Sequence, residues 1–157
     1  MPAQKFQINT DKAYAGIQYG LATTNSQRLT YSTESAMTTF GLGVVQGSKE
    51  KTCKLGQNED GTILGITMRQ DNIESATRPG DGTVGLKVGT PMGVMIQGPI
   101  NIKVKTAVAG KEIGMNPKTG EFGGVDATYI LVTNLEMLEY PLAAGEVGGV
   151  MINVFPK

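Results

Sequence analysis

The side chains that most often carry enzyme chemistry are scarce in this chain, which has no histidine and a single cysteine. Without imidazole there is no Ser-His-Asp or Cys-His pair, no histidine-ligated zinc and no side chain whose ordinary pKa lies near neutrality. Cys53 lies between Lys51 and Lys54, and neighbouring positive charge would lower a thiol pKa toward a reactive thiolate. The other reading is a small side chain within a strand, favoured because no resolving cysteine or base accompanies it. One unpaired cysteine also suits a chain made in a reducing cytoplasm. Gly41-Leu42-Gly43-Val44-Val45-Gln46-Gly47 has the look of a dinucleotide fingerprint, but its third glycine falls one position late and no helix-forming segment follows. Gly110-Lys111 is followed by Glu112 and lacks the upstream glycine of a phosphate-binding loop. Asn58, Glu59, Asp60 and Gly61 offer oxygen ligands without the alternating spacing or closing glutamate of a helical calcium loop, so a solvated hairpin tip is expected. The scattered carboxylates define no acid–nucleophile pair, because the separation that matters is spatial. The expectation is therefore no catalytic residues, no cofactor and no metal, and a binder or building block in place of a catalyst.

The elements that must position any binding surface read as strands. At 157 residues the chain is long enough for one domain that buries roughly 68–70% of its unfolded surface. Its 22 glycines are dispersed among apolar residues and punctuate them, without gathering into a linker. Ile100, Ile102 and Val104 alternate with Asn101, Lys103 and Lys105, the period-2 pattern of a strand with one apolar and one solvated face. Residues 92–97 form an apolar run closed by Gly98-Pro99, so strands are expected over 92–97 and 99–104 with a break between them. Further strands are expected over 40–46, 62–69, 84–88, 128–139 and 147–155. Asp60-Gly61, Pro79-Gly80-Asp81-Gly82, Asn116-Pro117-Lys118-Thr119-Gly120 and Gly123-Gly124 supply the turns. Short strands at this spacing predict an all-β fold, a single β-sandwich or β-barrel domain. Helix signals are few: Asp71 with Glu74 at N3 would cap one turn, and 32–39 lacks a 3.6-residue apolar face. Met92, Met95, Met115, Met137 and Met151 fall in or beside these strands, where flexible thioethers fill a core or, less commonly, a subunit contact.

Residues 1–35 differ from the rest, being rich in Gln, Asn, Thr and Ser with irregularly spaced apolar residues. They read as an extended, irregular N-terminal arm ahead of a β-rich domain over 36–157. Ordering such an arm costs about 1–2 kcal/mol per residue in backbone entropy, so something must receive its side chains. Phe6, Ile8, Tyr14, Ile17, Tyr19 and Tyr31 are the candidate partner-binding residues, tyrosine joining a large apolar body to a polar tip. The arm either docks on a partner or lies along its own barrel as an edge strand. Fourteen basic residues balance fourteen acidic ones and no like-charge run reaches five, which argues against nucleic acid as the main partner. The N-terminus lacks the apolar segment of a secretory signal and no stretch approaches the ~18 apolar residues of a membrane span, so the chain is expected to be soluble, unprocessed and free of membrane.

The order of segments Phe40-Gly41-Leu42-Gly43-Val44-Val45-Gln46-Gly47, Gly61-Thr62-Ile63-Leu64-Gly65-Ile66-Thr67, Gly89-Thr90-Pro91-Met92-Gly93-Val94-Met95 and Gly98-Pro99-Ile100-Asn101-Ile102-Lys103-Val104 resembles the structural cement proteins of tailed bacteriophages. Thr119-Gly120-Glu121-Phe122 and the closing Gly145-Glu146-Val147 are also similar. The likeness spans residues 38–155 and is weaker before Phe40. It implies a non-enzymatic capsid decoration protein that binds the outer surface of the icosahedral head between capsomers and stabilises the expanded shell. Its partners would be the major capsid protein and itself, as a homo-oligomer, dimer or trimer, after synthesis in the bacterial host cytoplasm. Two other readings are a phage tail or baseplate β-module and a small trimeric nucleotide-hydrolysing enzyme. The latter needs an Asp-rich, Mg²⁺-organising cluster that the sequence does not display.

Overall fold

The computed structural model describes residues 14–20, 26–70 and 84–154. Ten strands run through them: β1 (Gln27–Thr33), β2 (Gly43–Gln46), β3 (Thr52–Leu55), β4 (Gly65–Thr67), β5 (Pro91–Lys103), β6 (Gly114–Met115), β7 (Phe122–Gly123), β8 (Ile130–Leu131), β9 (Leu135–Met137) and β10 (Val147–Ile152). No helix occurs among the described residues. Strand order β1-β3-β2-β4-β5, with β5 returning to pair with β1, closes a five-stranded barrel. All its pairings are antiparallel except β1–β3. From the same β5 the sheet continues outward through β10 to β9, and a separate three-stranded sheet runs β7-β6-β8. Of the two architectures expected, the barrel is the one formed, with a second layer built onto it.

Strand β5 joins the two layers. Before Gly98 its even positions, Met92 and Val94, point into the barrel cluster with Tyr31, Phe40, Leu42, Val44 and Cys53. Beyond Gly98 the even positions Ile100 and Ile102 point instead into the outer cluster with Ile66, Met115, Phe122, Met137 and Val150. A strand of period 2 changes the face it presents only where its backbone departs from the regular pleat. Gly98, at φ 125°, is that departure, and a Cβ there would lie 2.9 Å from the Ser26 Oγ. The expected break at Gly98-Pro99 is thus a change of phase within one 13-residue strand. Pro99 supplies no N–H there, while its carbonyl accepts a bond from the Tyr19 amide at 3.2 Å.

Other expected strands are shorter than the patterning implied, for identifiable reasons. Gly41 turns at φ 77°, so β2 begins only at Gly43. Residues 84–88 make no strand; Leu86 bridges to Met37, and the Val84 amide donates to Thr38 O at 2.7 Å. The 128–139 stretch divides into β8 and β9 at the buried Asn134, whose amide acts as a piece of backbone. Its Oδ1 accepts from the Ile63 amide at 3.0 Å while Nδ2 donates to the carbonyls of Ile63 and Asn153 at 2.8 and 2.9 Å. Such a buried side chain, satisfied on both ends, ties three segments at a point where a continuous strand would have crossed over. The Asp71–Glu74 cap and the turn at 79–82 lie outside the described residues. Met92, Met95, Met115 and Met137 are core residues.

The largest revision concerns the N-terminal stretch. Residues 27–33, expected in the irregular arm, form β1 and complete the barrel, pairing along almost their whole length with β5. Only Tyr31 and Thr33 of this strand face inward, which is why no apolar alternation marks it in the sequence.

Candidate functional site

The groups with chemical potential are put to structural use. Cys53 is fully buried in the barrel, and burial, aided by the Glu34 carboxylate, pushes its thiol up to about 11, the opposite of an activated nucleophile. Glu34 accepts hydrogen bonds from the Thr52 and Ser48 hydroxyls, both at 2.7 Å, and from the Ser48 amide at 2.8 Å, which hold its carboxyl below its ordinary value. Asp60, expected at a hairpin tip, lies instead in an exposed turn on the connection from β3 to β4, which both pair with β2 and not with each other; it is held low in the same way by the hydroxyl and amide of Thr62. Among the described residues no group of three acidic, cysteine or histidine side chains converges to hold a metal.

What the fold does assemble is a junction between the arm and the second half of β5. The Gly16 amide donates to Asn101 O at 2.8 Å, the Asn101 amide to Ile17 O at 2.8 Å, and Tyr19 N to Pro99 O. The Asn101 side chain adds a bond from Nδ2 to Ile17 O at 3.0 Å. Asn101 is thereby 6% exposed, although its alternation with Ile100 and Ile102 placed it on a solvated face; the arm covers it. On the barrel side, the Arg69 amide donates to Gly16 O at 2.9 Å and its guanidinium lies 4.7 Å from the centre of the Tyr14 ring. Arg28 donates to the Gln18 side chain.

Glycine makes this approach possible at two points. A Cβ on Gly41, at φ 77°, would lie 2.8 Å from the Ala15 Cβ. The Tyr19 ring packs against Gly149 of β10, where a Cβ would come within 2.4 Å of the ring. The Tyr19 hydroxyl meets the Glu139 carboxylate, whose acceptance of its proton-bearing form raises the phenol above its ordinary value.

Of the six candidate binding residues, Tyr14, Ile17 and Tyr19 come together in this docked segment. Tyr14 is 65% exposed and Ile17 37%. Tyr31 packs inside the barrel, and Phe6 and Ile8 lie outside the described residues. For residues 14–20 the arm lies on its own domain, with Tyr14 and Ile17 at the surface.

Beside it, between arm and barrel, opens a cleft of about 410 Å³ whose lining includes Tyr14, Arg69, Lys103, Lys105 and Glu121. Lys105 pairs with Glu121 at 3.2 Å. Sequence reading passed over Lys103 and Lys105 as the solvated side of a strand; the one signal that singles them out is that they extend the face occupied by the arm.

Comparison with known proteins follows the same lines. A family described as structural cement protein matches residues 1–153. No curated protein gives a significant match. Among solved structures, a chain from the capsid of Myoviridae phage XM1 superposes with a TM-score of 0.65 at 16% identity, over 94% of this chain and 94% of that one. At that identity the likeness is one of fold.

Proposed function

Because this chain belongs to the structural cement protein family of phages, we propose that it works by adhesion, fastening coat subunits of the head together from the outer surface. It is a structural component of a phage capsid by family; the finer reading is that it bridges neighbouring capsomers and stabilises the expanded shell. Its partners are then the major capsid protein and further copies of itself, with no part for nucleic acid or membrane and no reaction to catalyse.

The observation that carries this reading is the extent of the family match, which takes in arm, barrel and outer layer together. The physical logic is linkage. A protein that contacts several coat subunits binds the assembled lattice better than free subunits, and so stabilises the lattice by the same free energy. Copies joined in an oligomer raise the effective concentration of each further contact, so interfaces of roughly 800 Å² per partner sum to near-permanent attachment. A rigid barrel held by two apolar clusters, with a docked arm presenting Tyr14 and Ile17, suits that passive load.

The test is to mix purified protein with undecorated expanded heads and with precursor shells, then sediment the particles. Co-sedimentation with expanded heads, together with a higher temperature of head rupture, is expected. Protein left in the supernatant with both particles would remove the reading.

A further inference from the structure

The seam that closes the barrel is zipped along only part of its length. β1 pairs with β3 at Ser32–Thr52 and Thr33–Cys53, and among the described residues no strand pairs with that side of β1 before Ser32. Alternation decides which backbone groups are left over. The Thr33 amide donates toward β5, to Thr90 O at 3.1 Å, and the Ser32 amide donates to the other side, to Lys51 O at 2.8 Å. Successive residues of a strand turn their N–H and C=O to opposite edges, so Leu29 and Tyr31 are turned to β5 and Arg28 and Thr30 to the open side. Among the described residues no backbone group bonds the main chain of Arg28 or Thr30 on that side. Leu29 shares the face of the buried Tyr31 and Thr33 and is nevertheless 51% exposed. A cavity of about 460 Å³ follows this seam, lined by Leu29, Thr30, Tyr31, Ser32 and Lys51.

We infer that the open half of β1 pairs with the same segment of a second copy, antiparallel about a two-fold axis at Leu29. The inference deepens the proposed self-association by naming its surface and its register. With Leu29 opposite itself, Arg28 of each copy faces Thr30 of the other, and each supplies the N–H and C=O that the other lacks. An axis at Arg28 would set like charges directly opposite one another. An axis at Thr30 would pair Arg28 with Ser32, whose amide is already bonded to Lys51 O. At Leu29 the two exposed side chains meet at a non-hydrogen-bonded position, where neighbouring strands approach most closely. A coat segment would have to present a free edge of its own, whereas this chain carries one that complements itself. The shortness of the edge points the same way. A segment such as Arg28–Thr30 buries far less than the roughly 800 Å² per partner of a stable free complex, so its occupant must be held alongside by other contacts. Copies attached side by side to one head are held in that way, at high effective concentration. The pairing is thus weak between free copies and firm between attached neighbours.

A disulfide trap reads the register with the full chain and without any head. Leu29→Cys places two thiols at a non-hydrogen-bonded pair, where Cα atoms about 4.5 Å apart lie within the span of a disulfide. Arg28→Cys places them out of register, and Glu112→Cys, exposed on the outer layer, reports chance collision. Cys53 is buried and takes no part. Under mild oxidation at high protein concentration, Leu29→Cys should form covalent dimer about tenfold faster than either control, with the link mapped to position 29 of both chains. Adding Thr30→Pro to Leu29→Cys removes an N–H that no acceptor among the described residues uses, a change tolerated on the open side of an edge strand. That double variant should keep the thermal midpoint of Leu29→Cys and fall to the rate of the controls. Equal rates for Leu29→Cys and Arg28→Cys, or no dimer from Leu29→Cys, would overturn the pairing, and that comparison decides the matter without the proline variant. An undiminished rate in a folded double variant would overturn it as well. None of these results touches attachment to the head, which is struck only if the unaltered protein fails to sediment with heads.

Discussion

Strand β5 takes part in two regions that hold together by different means. Around its two apolar clusters, cohesion comes from closed packing of Met, Val, Ile and Phe side chains, many of them wholly inaccessible to water. Across its outer edge, the arm is held by backbone hydrogen bonds at Gly16, Ile17, Asn101 and Pro99 and by one ring lying on a glycine. Burying an aliphatic side chain contributes about 1.5–3 kcal/mol, whereas a net hydrogen bond contributes about 0.5–1.5. The clusters are thus expected to unfold as a unit and the arm to open separately, at lower cost. Under the proposed adhesive role that division would be useful, since a rigid body would fix where the contacts lie and a weaker segment would adjust to the partner.

The sharpest way to break the comparison is from the core side. Phe122 is fully buried among the outer cluster, so Phe122→Ala should destabilise the whole chain by about 3–5 kcal/mol in urea unfolding, the arm being lost with everything else. A smaller change should act on the arm alone. Gly149→Val places atoms where the Tyr19 ring lies, and the expected cost is about 1–3 kcal/mol confined to the junction. Amide exchange at Gly16, Asn101 and Tyr19 should then accelerate while the barrel amides of Val44 and Val94 keep their protection. Uniform acceleration would show that arm and core are one cooperative unit.

The smallest expected effect is a pH dependence at the same junction. The Tyr19 phenol is raised above its ordinary value of 10.0 because only its protonated form donates to Glu139. A group whose folded pKa is raised stabilises the folded state below its unfolded pKa, and that contribution is lost as pH rises through the folded value. Arm protection should therefore be steady to about pH 10 and decline above it. Tyr19→Phe should abolish this alkaline step and leave the exchange of core amides as it was.

How far the sequence discloses these regions follows from the range of the interactions involved. Ile100, Ile102 and Val104 announce their buried face because period-2 alternation is local, and the all-β class and the family resemblance follow from such segments. Asn101 misleads by the same rule, since the arm that covers it begins more than eighty positions earlier. β1 is obscured because barrel closure buries only Tyr31 and Thr33 of its seven residues. The phase change in β5 is marked by Gly98-Pro99, but a glycine–proline pair does not say whether a strand ends there or turns its face. The cleft is the least legible feature, because Tyr14, Arg69, Lys103 and Glu121 come from distant parts of the chain and meet only when the barrel has closed.

A reconstruction of the mature particle bears most directly on the claim that this chain acts by adhesion to the head. The account predicts density for the barrel on the outer surface of the head at contacts between capsomers, with Tyr14 and Ile17 turned toward the coat. Heads without that density, or the same fold found only in the tail, would contradict it.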